Sequence, residues 1–253
     1  MATPAETVER TFKPIQQFVR GWMLTAETEA YGRELGLRNL DQFWIVGRAG
    51  VLGSCPTDVA AGALAFHGPD KVAEAWGNLP AGLDHATVAR HYHSRCVAWG
   101  DEVVGDFDAY DMNRLDELGR RIVDAAPNNV GPLFVGWRIM PIPDGHGARV
   151  ALTLHVIREL RAAAHSCAIV VHGLTPVEAI LASTNAPLRT GPGHAEFMGF
   201  TGPFRDPEEV RAQRLAAEAT TATIMSGFYA VLSDGELDEF ADLVESTRSS
   251  IDM

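Results

Sequence analysis

Read at about 100° per residue, the apolar and polar positions of this chain give one helix after another. The stretch from Val150 to His172, VALTLHVIRELRAAAHSCAIVVH, contains no Gly or Pro and is closed by Gly173, which predicts one long helix with a C-terminal glycine stop. Leu152, Val156, Leu160, Ala163, Ala164 and Cys167 fall on one side of that helix. The other side collects His155, Arg158, Glu159, Arg161, His165, Ser166 and His172, interleaved with Leu154, Ala162 and Ile169. A solvent face would carry lysines, and this one has none. An apolar side backed by a His/Arg/Glu side predicts a core helix whose polar face lines a cavity.

Around it the pattern stays helical. Residues 5–36 read as helix, with Pro14 a possible kink and Gly32 and Gly36 marking the end. Leu40, Phe43, Trp44, Val46, Val51 and Leu52 give a second helix, with Arg48 between two glycines, either a surface residue or a charge aimed into a pocket. Pro56-Thr57-Asp58 opens a third through Phe66, and the turn HGPD leads into a fourth. Residues 84–104 and 109–125 form the fifth and sixth. The segment LFVGWRIM is too short for periodicity to separate a strand from a buried helical turn. Thr175-Pro-Val-Glu178 and Ser233-Asp-Gly-Glu236 are capping boxes, each opening a helix. Residues 207–231 form another long helix.

The fold expected is therefore mainly α: a bundle of about nine helices, with any winged-helix element small and degenerate. Residues 1–184 form the helical core around 150–172, and 207–253 are C-terminal helices suited to homodimerisation. Between them, residues 185–206 carry four glycines with Phe197, Phe200 and Phe204 and read as a loop covering something apolar.

Charge narrows the functions. The net charge is −12, which argues against nonspecific nucleic-acid binding through a broad basic surface. Lys13 and Lys71 are the only lysines, so little is left for phosphate or Schiff-base chemistry. Cys55, Cys96 and Cys167 lie far apart in apolar stretches and are expected as inert buried thiols. There is no signal-peptide pattern and no long apolar run, so a cytoplasmic protein without a membrane segment is expected.

Two stretches carry a resemblance. EAYGRELGLRNLDQFWIVGRAGVLGSCPTDVAAGALAFHGPDKVAEAW at 29–76 and IRELRAAAHSCAIVVHGLTPVEAIL at 157–181 resemble the SalK-like family of actinobacterial proteins, often described as helix-turn-helix proteins. The family's GRAxxLG element is matched by Gly47 to Gly53. Its Arg-Glu segment with a downstream histidine is matched by Arg158, Glu159, Arg161 and His165. The common form REHRGDGH is RELRAAAH here, which loses the inner histidine at Leu160 and the Asp at Ala163. Many relatives end in a winged-helix-like segment, whereas residues 206–253 read only as helices. The resemblance implies fold more than mechanism.

For chemistry, a metal site is not expected. His155 and His165 lie about 15 Å apart along one helix and cannot share an ion. No cofactor is expected either. Arg158 and His165, two turns apart, suit acid–base work: the arginine orients an anion while the histidine moves a proton. Glu159 is free to pair with Arg48 or Arg161. The candidate catalytic set is His165, Arg158 and Glu159, with Arg48, Arg161, His91, Phe197 and Phe200 as ligand-binding candidates. A structural ion network of Arg158, Glu159 and Arg161 is the plainer alternative. Two functions stay open: a small-molecule-binding protein of bacterial secondary metabolism, acting as a cofactor-independent acid–base enzyme, or a winged-helix-derived, ligand-responsive transcriptional regulator.

Overall fold

The computed structural model describes residues 2–183 and 190–251. They form 13 α-helices joined by turns and short 3₁₀ segments, with no strand among the described residues. The multi-helix α fold is as expected, but the helices are more numerous than about nine. The additions come from breaks and short turns that periodicity does not mark.

The first helical stretch divides. Helix α1 (Pro4–Met23) starts in a capping box between Thr3 and Glu6 and continues through Pro14. Thr25 then caps a separate α2 (Ala26–Glu34) by accepting the Thr28 N–H. Helix α3 (Leu40–Ala49) carries Trp44 and Arg48, and α4 (Thr57–Ala63) and α5 (Pro69–Trp76) follow. Helices α6 (His85–Val104) and α7 (Ala109–Ala125) start at Asp84 and Asp108, whose carboxylates accept first-turn N–H groups. Of LFVGWRIM, the residues from Leu133 to Arg138 are helix, within α8 (Pro132–Arg138), and Ile139 and Met140 follow as a turn.

The central helix α9 (His146–Val171) begins one turn earlier than its expected start and ends at a left-handed Gly173 (φ 67°). The Leu174 N–H donates to the Ile169 carbonyl across that end (2.9 Å), the bond such a glycine makes possible. Helices α1, α6, α7, α8 and α12 pack around α9, with α10 at its end. It is consequently buried on several sides, and Leu152, Leu154, Val156, Ile157 and Leu160 are all at most 4% exposed. Each such side chain contributes about 1.5–3 kcal/mol of burial.

Beyond it lie α10 (Pro176–Leu181), α11 (Gly191–Phe197), α12 (Arg211–Tyr229) and α13 (Asp234–Ser249). Residues 185–189 of the expected loop lie outside the described residues, and its remainder holds α11, which the glycine and proline content hides. Met198 returns from α11 so that its carbonyl accepts the Gly68 N–H (2.7 Å). A Cβ on Gly68 would stand 2.0 Å from the Gly199 carbonyl oxygen, so only glycine permits this approach. Helix α12 packs on α1, α7 and α9, and α13 packs on α1 and α7. The acidic residues of α13 face arginines of those partners: Asp242 and Glu245 meet Arg10, Glu239 meets Arg114, and Glu236 meets Arg121.

Candidate functional site

The polar residues of α9 divide into two clusters on different sides of the helix. The first begins at α3. A Cβ on Gly47 would stand 2.4 Å from Cγ of Tyr92, and one on Gly50 would stand 2.1 Å from the His85 carbonyl oxygen. These two glycines let α3 and the turn after it lie close against α6, and Trp137 Nε1–H donates to the Arg48 carbonyl (3.0 Å). Arg48 is thereby held pointing inward, 5% exposed. Its Nε and Nη2 donate to Oε1 (3.1 Å) and Oε2 (2.9 Å) of Glu159, a two-point guanidinium–carboxylate pair. Nη1 of Arg158 donates to the same Oε1 (2.7 Å).

Two guanidinium charges thus meet one carboxylate, leaving an excess of one positive charge in a buried place. Burial opposes the Glu159 carboxylate, but Arg48 and Arg158 outweigh it and hold the carboxyl well below its usual range. Burial, reinforced by repulsion from Arg48, brings Arg158 down to about 10, so it remains charged at neutral pH.

These residues line a cavity of about 640 Å³. It lies between α3, α4 and the turn after it, the start of α8 and the C-terminal half of α9. From α9 come Arg158, Glu159, Ala162, Ala163, Ser166, Cys167, Val170 and Val171, positions repeating at i, i+4 and i+8 along one face. Apart from the charged trio, Ser166 and His67, the walls are largely apolar, with Leu64, Phe66, Val130, Leu133 and Met198 among them. Val59, Val170 and Val171, which also line it, are 51%, 74% and 73% exposed, which makes an apolar rim. The volume falls within the range of cavities that hold small molecules in general.

Two lining residues missing from the sequence-based candidates are His67 and Trp44. Nδ1 of His67 lies 3.3 Å from the Leu64 carbonyl oxygen, Nε2 has no hydrogen-bond partner, and neither does Nε1 of Trp44. Burial, then the nearby Arg48, pushes the His67 pKa well below its ordinary value, so the ring is neutral. The only sequence signal was the turn HGPD, which marks a helix start and not a site.

The second cluster lies between α9 and α12. Arg161 donates to Glu218 (2.6 Å) and stacks 3.5 Å from the Phe12 ring centroid, and Arg214 also reaches Glu218 (2.5 Å). The Thr221 hydroxyl donates to the Ala217 carbonyl (2.7 Å), so it accepts from Nδ1–H of His165 (2.8 Å). Burial, followed by Arg214, lowers the His165 pKa to about 4. His165 lies against the Phe66 ring and outside the cavity lining. At 100° per residue, seven residues fall roughly 20° short of two full turns, a drift between Arg158 and His165, and Arg158 already stands at one edge of the cavity face. That drift carries His165 past the cavity edge, so the structure does not bring the two together in one pocket.

The remaining candidates are dispersed. His91 pairs with the Tyr31 hydroxyl (3.0 Å) at the α2–α6 contact. Phe197 stacks on Trp44 (6.0 Å between centroids), and Phe200 packs half-buried on the core; neither lines the cavity. His155 is fully buried beside Trp137, 3.8 Å from Glu159. The cysteines differ from expectation in one respect. Cys96 is buried and Cys55 half-buried, but Cys167 is exposed, because the apolar side assigned to it from periodicity is core at Leu152, Val156 and Leu160 and turns to the cavity at Ala163 and Cys167. No cluster of three or more metal-ligating side chains occurs among the described residues. No single described helix is long and apolar enough to cross a membrane.

A family model described as a helix-turn-helix family matches residues 5–201. No curated protein and no solved structure matches the chain. The match spans most of the sequence, and the chain belongs to this helix-turn-helix family.

Proposed function

We propose that this member of the helix-turn-helix family is a small-molecule-binding protein whose ligand is an anion with an apolar body. One observation carries the reading: the buried Arg48 and the partly buried Arg158 share a single glutamate beside a cavity of about 640 Å³ with largely apolar walls. The unbalanced guanidinium attracts one negative charge, and the walls favour hydrocarbon over water. Catalysis would need a proton-moving group in the cavity. His67 occupies that position, whereas His165 is engaged with Thr221.

A thermal-shift comparison of aromatic and aliphatic acids with their primary amides tests the reading. Acids should raise the unfolding midpoint and the amides should not. Equal shifts from both, or none from any acid, would remove it.

Family membership favours a second reading, a ligand-responsive transcriptional regulator derived from a winged helix. The net charge of −12 works against a DNA-facing surface. Fluorescence anisotropy with a DNA duplex at low and high salt decides: binding that weakens steeply with salt supports the regulator. Within the family we assign the chain to the SalK-like actinobacterial members, on Gly47–Gly53 and Arg158–His165. The proposal includes a cytoplasmic protein that dimerises through 207–247, where Leu215 is 61% exposed on α12. Light scattering that finds a concentration-independent monomer would remove the dimer.

A further inference from the structure

The polar equipment of the cavity goes further than its charge. Three nitrogens without hydrogen-bond partners belong to residues that line it: Nε of Arg158, Nε1 of Trp44 and Nε2 of His67. The first two are donors, since guanidinium and indole N–H groups have no acceptor role. The third is an acceptor. A carbonyl can only accept, so the contact of His67 Nδ1 with the Leu64 oxygen (3.3 Å) puts the ring proton on Nδ1. Nε2 of the neutral ring then carries a lone pair, and His67 is only 4% exposed, so bulk water does not readily serve it.

A simple carboxylate would satisfy two donors and leave the histidine acceptor without a partner. An amino acid would supply a donor, but its ammonium would stand near Arg48 and Arg158, where like charges repel. A neutral hydroxyl supplies the proton without the charge. Resting on the anion-binding reading above, we infer that the ligand is a hydroxylated carboxylic acid. Its carboxylate is taken by Arg158 and Trp44, its hydroxyl donates to Nε2 of His67, and its hydrocarbon body lies against Phe66, Leu133 and Met198.

Isothermal titration calorimetry on the full chain tests this with naphthalene-2-carboxylate, its 4-, 6- and 7-hydroxy derivatives and their methyl ethers. A site built to pair a hydroxyl discriminates strongly against the analogue lacking it. At least one hydroxy acid should bind about 10-fold or more tighter than the parent acid, and its methyl ether should lose that gain. His67→Phe should bring the hydroxy acid down to its parent. His67→Gln, which keeps an acceptor oxygen, should restore part of the gap and controls for any loss of folding in the first variant. If the parent and every hydroxy acid bind alike, or the gap survives in folded His67→Phe, the inference fails and the anion-binding reading stands. If no acid binds at all, both fall.

Discussion

Glu159→Gln is the substitution with the most definite expected outcome. Glu159 is 1% exposed and accepts three guanidinium hydrogen bonds, two from Arg48 and one from Arg158. Glutamine keeps the shape but removes the only carboxylate, leaving two positive charges together in a buried place. Breaking a buried pair by removing one partner costs about 3–5 kcal/mol, because the surviving charge has no compensation. Here two charges survive, so the upper half of that range is expected. Arg48→Met should cost less, since Glu159 keeps Arg158. The double variant Glu159→Gln with Arg48→Met should recover part of the loss, giving a coupling of roughly 1–3 kcal/mol. Urea unfolding at pH 7.5, followed by far-ultraviolet circular dichroism, measures all four proteins.

The sign of the pH dependence follows from the same contacts. The folded carboxyl titrates below its ordinary value of 4.5, so its contribution is complete above that pH and declines as the pH falls through the folded value. The gap between wild type and Glu159→Gln should therefore narrow only in acid below pH 4.5. A Glu159→Gln variant within about 1 kcal/mol of wild type, or a strictly additive cycle, would refute the buried trio.

Three further outcomes are expected. His165 titrates at about 4 in the fold against 6.5 ordinarily, so the unfolded chain binds the extra proton and stability falls as pH drops from 6.5 toward 4. His165→Asn should lose less between pH 7.5 and 5 than wild type in urea unfolding, and an identical loss would show that the ring is not held neutral. Gly47→Ala drives a Cβ to 2.4 Å from the Tyr92 ring and should cost about 1–3 kcal/mol, whereas Gly62→Ala meets nothing within 4 Å and should be neutral or slightly stabilising. Equal thermal midpoints for the two would contradict the α3–α6 packing. Cys167 should react with a thiol reagent in the folded protein while Cys96 stays protected, and an acid occupying the cavity should slow that reaction. Labelling of Cys96 as fast as Cys167 would count against the packing described.

Much of the fold was legible because local rules govern it. The capping boxes at Thr175 and Ser233 and the stop at Gly173 act within a few residues, and the structure forms them where the sequence indicates. The break between α1 and α2 was missed because Leu24 and Thr25 interrupt no apolar pattern, and the break becomes plain only from the Thr25 cap. Helix α11 was missed because seven residues beginning Gly-Pro-Gly carry almost no periodic signal.

The site was legible in part. Arg48 between glycines raised the choice between surface and pocket, and its partnership with Glu159 was among the pairings considered. What single-helix geometry could not supply was the phase of α9 relative to its neighbours. An error of a fraction of a turn moved His165 toward α12 and turned Ala163 and Cys167 to the cavity. His67 was not assigned to the cavity for a different reason. Its role depends on a carbonyl three residues back and on walls contributed by α3 and α9, which lie far from it in sequence.

If the excess guanidinium charge selects an anion, Arg158→Gln should bind naphthalene-2-carboxylate more weakly than wild type. Glu159 keeps its two-point pair with Arg48 in this variant, so the fold should persist. Loss of one charge-assisted contact of about 1.5–3 kcal/mol corresponds to roughly 10- to 150-fold weaker binding in calorimetry. That loss is expected in a variant that still unfolds cooperatively, with wild type binding the matching amide equally poorly. Full affinity retained by Arg158→Gln, or acid and amide bound alike by wild type, would contradict it.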